Sequence, residues 1–191
     1  MYQLQDIYSL EWLHGFPGQF ILLFAWINSL CETRGPSNIS GLVSWIENQL
    51  PRIRLAVCES GDPMLRIGVM VVQECWRFAV LIYLHMALCK ADARDPRVTR
   101  AQSGFMRVIR GVKPGRNPDA HLVSSIIVAG VATIKERDRN TIRQRMFSLR
   151  ECVEPGTTGN DVVRMLEELW ARTEAEGRAA IWSDLRIAHM K

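Results

Sequence analysis

The sequence predicts an all-α protein, arranged as an antiparallel helical bundle or a short helical stack. Apolar residues recur at helical spacing in one segment after another, and clusters of Gly, Pro, Asp and Asn separate those segments. No stretch reads as a strand meander or as alternating strand and helix, and no fixed-period repeat marks a tandem array.

Residues 19 to 32 place apolar groups on nearly every turn, which predicts a buried helix ending at the breaker cluster Thr33-Arg34-Gly35-Pro36. A second helical segment is expected from Ser40 to Glu59, with Leu42, Trp45, Ile46, Ile53 and Val57 as its apolar positions. Pro51 lacks an N–H donor and crowds the preceding turn, so it should kink or divide this segment, and Gly61-Asp62-Pro63 closes it. The strongest pattern runs from Met64 to Lys90, where Leu65, Val69, Val72, Trp76, Ala79, Val80, Tyr83 and Ala87 recur with further apolar residues almost all round. Such a helix belongs at the centre of a bundle. Asp95-Pro96 reads as an N-cap followed by a first-turn proline; it opens a helix to Arg110, stopped by Gly111, that forms a hairpin with the central one.

Asn117-Pro118-Asp119 repeats the cap-and-proline start and leads into an apolar helix from Leu122 to Ile134, whose Ala129, Gly130 and Ala132 let a neighbour approach closely. Asp138 stands near the start of a basic helix, Arg139 to Leu149, with Ile142, Met146 and Leu149 as its apolar positions. After the loop Pro155-Gly156-Thr157-Thr158-Gly159, Asn160 or Asp161 is the expected cap of a helix with Val162, Val163, Leu166, Leu169 and Trp170 on one broad face. A last helix should begin near Ile181 or Trp182 and run to the end.

With 191 residues, 48% hydrophobic and 23% charged, the chain has enough apolar material for a sizeable core, and one helical domain over residues 1–191 is expected. The apolar stretch from Phe20 to Ile27 falls short of the roughly 20 residues a membrane span needs, and Gln73, Glu74 and Arg77 interrupt the run from Ile67 to Leu88. No membrane partner is expected. The start Met1-Tyr2-Gln3-Leu4-Gln5-Asp6 lacks the basic flank of a secretory signal, which places the chain in the cytoplasm or nucleus with reduced thiols. Cys31, Cys58, Cys75, Cys89 and Cys152 suit free thiols better than a disulfide framework, and neither they nor His14, His85, His121 and His189 show the close spacing of a zinc site. No metal or cofactor is assigned to this chain.

The net charge of +4 is unevenly placed, since residues 94 to 150 hold 13 Lys/Arg against 4 Asp/Glu. A basic face is expected there. Its candidates are Lys135, Arg137, Arg139, Arg143, Arg145 and Arg150. They lack the interleaved aromatics of single-strand binding and a recognisable recognition helix, so a solvated face or a surface for an acidic partner is the expectation.

Enzyme signatures are missing. Gly111-Val112-Lys113-Pro114-Gly115-Arg116 joins two helices and contains a proline, unlike a phosphate-binding loop, and no Ser or Cys sits in a nucleophile context. Asn38-Ile39-Ser40 fits a glycosylation sequon that a chain without a signal peptide does not use. Glu74 and Arg77 lie one helical turn apart around Trp76 in the apolar central helix; with Tyr83 they are candidates for interhelical contacts or for lining an interior cavity.

At that helix the sequence resembles a known family. Glu74-Cys75-Trp76-Arg77-Phe78-Ala79-Val80-Leu81-Ile82-Tyr83-Leu84-His85-Met86 is similar to a segment of the fungal-specific transcription factor domain. Further matches follow in the same order: Asp95-Pro96-Arg97-Val98, Val112-Lys113-Pro114-Gly115, Ile127-Val128-Ala129-Gly130-Val131-Ala132, Asp138-Arg139 with Arg143, Met165-Leu166-Glu167 with Leu169-Trp170, and Gly177-Arg178 with Trp182-Ser183-Asp184-Leu185. The likeness covers residues 64 to 187 and is weaker upstream. It implies a nuclear regulatory region that follows a binuclear zinc cluster and contacts transcriptional regulators or a small metabolite. A homodimer is also open. This chain has no six-cysteine cluster, so zinc enters only if such a cluster lies upstream, and direct DNA contact through the usual module is not expected of it. The chain is then either a piece of a longer factor or a stand-alone relative. Its rivals are a helical adaptor docking an acidic partner and an enzyme with dispersed residues.

Overall fold

A computed structural model describes residues 18–33, 39–53 and 61–189. They form helices α1 (Gly18–Glu32), α2 (Ile39–Gln49), α3 (Pro63–Tyr83), α4 (Pro96–Arg110), α5 (Arg116–Asp119), α6 (Val123–Val131), α7 (Glu136–Phe147), α8 (Arg150–Val153), α9 (Thr158–Ala175) and α10 (Asp184–His189), with no strand among the described residues. The all-α class is what the sequence predicts.

The central helix α3 starts as its residues dictate. Asp62 accepts a hydrogen bond from the Met64 amide at 2.9 Å, and Pro63 sits in the first turn, where its missing N–H costs nothing. From Gly68 onward the helix is covered on most sides, with Val72, Cys75, Ala79, Val80 and Ile82 at or near zero exposure. Its first turns differ from the expectation, because Met64, Ile67 and Met70 are exposed. The helix continues through a π-turn, Leu84–Leu88, in which the Cys89 amide reaches the Leu84 carbonyl, and Lys90 ends it with a left-handed φ of 57°. By length and composition Pro63–Leu88 is apolar enough to cross a membrane in spite of its polar interruptions, and 67% of its most apolar window is buried within the protein.

Helix α4 packs antiparallel against α3 as the hairpin requires. Asp95 caps it, accepting from the Arg97 amide at 2.8 Å, and Pro96 follows. Hydrogen bonds from the Arg97 guanidinium hold the Asp95 carboxyl down to about 2. Helix α6 packs on α3 and α9. At Gly130 a Cβ would stand 2.9 Å from the Leu166 side chain, so the small residues of α6 do allow close approach.

Several boundaries depart from expectation. Pro51 divides the second segment, since α2 ends at Gln49 and a 3-10 turn, Leu50–Arg52, contains the proline. The continuation through Val57, like residues 34–36 of the first breaker cluster and Cys58, lies outside the described residues. Helix α1 is one-sided: Phe20 and Ile27 are buried while Ile21, Leu22 and Trp26 are exposed. The Asn117-Pro118-Asp119 signal forms its own short helix α5 before a turn into α6. Helix α7 begins at Glu136 and α10 at Asp184. Helix α9 is capped by Thr157, whose Oγ1 accepts from the Asn160 amide, because the chain already turns helical at Thr158.

Candidate functional site

Trp76 and Tyr83 tie α3 to its neighbours. The Trp76 indole N–H donates to the His121 carbonyl at 3.3 Å, and its ring meets Phe24 of α1 edge-on. The Tyr83 hydroxyl donates to Asn28 Oδ1 at 3.2 Å, and its ring packs against Phe24 and Trp182. Glu74 and Arg77 form an ion pair at 3.1 Å one turn apart.

The six basic candidates do not share a face, which corrects the expected basic helix surface. Lys135, Arg137 and Arg150 are exposed, Arg143 is half-buried, and Arg139 and Arg145 are buried. The reason lies in their partners. Arg145, 2% exposed, pairs at 2.7 Å with Asp119, which is fully buried. It also donates to the carbonyls of Ile109 and Val112, around the C-terminal end of α4, where no further intrahelical N–H can reach. Asp119 in turn accepts from the Gly115 amide and the Ser148 hydroxyl. Every polar atom of this pair faces protein, so the charges are compensated where water is excluded.

Arg139, six residues earlier on α7, is buried against different company. Its Nε donates to the Thr133 carbonyl at 3.3 Å, and its guanidinium lies 5.5 Å from the centre of the Trp170 ring. Its carboxylate partners are Glu174 at 2.9 Å and Glu136 at 3.6 Å, whose side chains are 74% and 60% exposed. Arg143 also lies over Trp170, at 5.2 Å, and is held by Glu167 and Glu136, which keep its pKa raised. The Trp170 N–H donates to the Gly130 carbonyl at 2.9 Å and fixes the ring.

Beside Arg139 a cleft of about 550 Å³ opens between the start of α7, the end of α9 and the loop before α10. Arg94, Ile134, Arg139, Trp170 and Glu174 are among the residues lining it; Glu74, Trp76, Arg77 and Tyr83 are not. The loop is stapled by Arg178, which grips the buried Asp184 through two bonds of 2.7 Å. Those bonds hold the Asp184 carboxyl below its ordinary value of 3.8.

A second basic surface lies outside the candidates that the sequence suggests. Arg97, Arg100, Arg107 and Arg110 share the outer side of α4, opposite the buried Val98, Ala101, Phe105 and Ile109. Arg97 pairs with Asp95, and Arg110 with the buried Asp138 of α7. Among the described residues Arg100, Arg107 and the nearby Arg94 have no carboxylate partner, and neither have the exposed Lys135 and Arg137 at the start of α7. The signal was present in the spacing of these arginines, three, seven and three residues apart, although the stretch reads as a charge block when only totals are counted.

Cys31, Cys75, Cys89 and Cys152 are free thiols, and burial raises the pKa of each. Among the described residues no group of three His, Cys, Asp or Glu side chains gathers as metal ligands would.

The stretches that carry the family resemblance are the places where helices are pinned: the Asp95-Pro96 cap, the Asp138 and Arg139 bonds, Trp170 on Gly130, and the Arg178–Asp184 staple. Neither a curated protein nor a solved structure matches the chain. A family model, the fungal specific transcription factor domain, matches residues 2–187, well upstream of residue 64, where the likeness read from the sequence begins. The family is one of transcription regulators, not of enzymes, and a match over nearly the whole chain means that this protein belongs to the fungal specific transcription factor domain family.

Proposed function

We propose that this chain is the regulatory region of a nuclear transcription factor and works by docking an acidic segment of a transcriptional regulator on the outer side of α4. The observation that carries the reading is the pair of exposed arginines on the outer side of α4, Arg100 and Arg107, with Arg94 beside them, which have no carboxylate partner among the described residues; nor have the exposed Lys135 and Arg137 at the start of α7. Arg100 and Arg107 stand two helical turns apart, about 10.5 Å along the axis, a spacing that acidic residues on a facing helix can meet. Unpaired cations at a surface raise the encounter rate with an acidic partner and fix its register.

A protein segment suits this face better than a nucleic acid. Glu136 and Glu174 are largely exposed near its edge, and Asp92 and Asp95 flank its start. They repel a uniformly negative phosphate backbone, while a protein partner with mixed charge can match them. Among the described residues of α4 and the start of α7 there is also no exposed aromatic ring on which a base could stack.

The test is a reporter assay in a fungal nucleus, with the full chain fused to a heterologous DNA-binding domain. The fusion is expected to change reporter output, and the double substitution Arg100→Glu/Arg107→Glu to abolish that change at equal protein level. Unchanged output from the charge-reversed fusion would overturn the docking face.

A further inference from the structure

We infer that the cleft beside Arg139 is a binding site for a small organic anion with an apolar body. The inference rests on the regulatory reading for its biological purpose, and of the cations of the docking face only Arg94 also lines the cleft. The volume of about 550 Å³ falls within the range of roughly 300–1,000 Å³ that small-molecule sites occupy.

Arg139 holds the anion. Its side chain is only 10% exposed, so most of its desolvation has already occurred in the folded protein. Its counter-ions, however, are not buried with it. Glu174 is 74% exposed and Glu136 60%, and a carboxylate so well hydrated gains little from the pair. A ligand anion can take the place of Glu174 on the guanidinium, and Glu174 then returns to water at small cost. Arg145 on the same helix offers no such exchange, because Asp119 is sealed in with it.

Two further features set the ligand class. Arg94 lines the cleft and has no carboxylate partner among the described residues, so a second cation can meet the anion. Arg178, also in the lining, is committed to Asp184 and serves as wall. The apolar part of the lining includes Trp170, fixed by its bond to Gly130, and Ile134, which is 44% exposed and would be covered by an apolar ligand body. Cationic and apolar walls together favour an amphipathic anion over a bare one. Carboxylate and phosphate monoester share the required chemistry.

The test is calorimetric titration of the full chain with 2-naphthoate, with its neutral amide and with inorganic phosphate as comparisons. The expected result is saturable binding of naphthoate only. Glu174→Gln removes the competing carboxylate and is expected to tighten binding about two- to fivefold, the range an exposed ion pair spans. Arg94→Gln is expected to weaken it by a similar factor. Both positions are exposed, so neither variant endangers the fold. Absence of naphthoate binding, equal binding of the amide, or an unchanged affinity in Glu174→Gln would overturn the proposal. Glu174→Gln leaves every cation of the docking face in place, while Arg100→Glu/Arg107→Glu leaves the cleft lining in place. Failure of the cleft and failure of the docking face are therefore read in separate variants.

Discussion

Arg145 and Arg139 stand on one helix, both nearly out of solvent at 2% and 8% exposure, yet their surroundings differ in one respect. Arg145 has its counter-ion buried with it; Arg139 is paired with carboxylates that remain largely in water. The first arrangement is closed. It binds the end of α4, the short helix α5 and α7 into one unit, and no solute can enter without breaking it. The second is open toward a cleft, and its partners can be exchanged. Burial of an arginine therefore says little by itself about its role; the exposure of its counter-ion separates an anchor from a site.

The sharpest way to break this comparison is to remove each guanidinium. Arg145→Met leaves Asp119 buried and uncompensated, and a loss of about 3–5 kcal/mol of unfolding free energy is expected in denaturant titration. A loss below about 1 kcal/mol would show that the network is not an anchor. Gly130→Ala, which drives a methyl into the Leu166 side chain beneath Trp170, comes next, at about 1–3 kcal/mol by the same measurement. Arg139→Gln should cost about 1 kcal/mol or less, because Glu174 and Glu136 are left hydrated rather than stranded. If Arg139→Gln proves as damaging as Arg145→Met, the distinction between the two arginines fails.

The smallest effect concerns pH. Burial, with the nearby Arg97, holds the pKa of His85 below its ordinary 6.5, against the opposing pull of Glu47 at 3.3 Å and of Asp95; the Cys89 thiol lies close by. The unfolded chain then binds a proton more readily than the folded one, so stability is expected to fall as pH drops below about 6.5. Denaturant midpoints at neutral and mildly acidic pH check this, and His85→Gln should flatten the dependence.

How far the sequence carries can be seen in particular residues. The central helix, the Asp95-Pro96 start and the stop at Gly111 were legible because caps, prolines and apolar period are local signals. The cap of α9 was misplaced because Asn160 and Asp161 are also good cap residues, and only the backbone shows that helical geometry begins after Thr157. The difference between Arg139 and Arg145 was not legible at all. Asp119 lies 26 residues from Arg145 and Glu174 lies 35 from Arg139, so the exposure of each counter-ion is a property of packing alone. The one-sidedness of α1 escaped for a similar reason, since Ile21, Leu22 and Trp26 are as apolar as the buried Phe20 and Ile27.

The most direct measurement of the central functional claim is titration of the full chain with a synthetic Asp/Glu-rich peptide carrying Leu and Phe, at low and at high salt. If α4 is the docking face, binding weakens with salt, and Arg100→Glu/Arg107→Glu weakens it by roughly tenfold or more, about 1.4 kcal/mol, with no change in fold. Salt-insensitive binding, or equal binding by the charge-reversed protein, would contradict it.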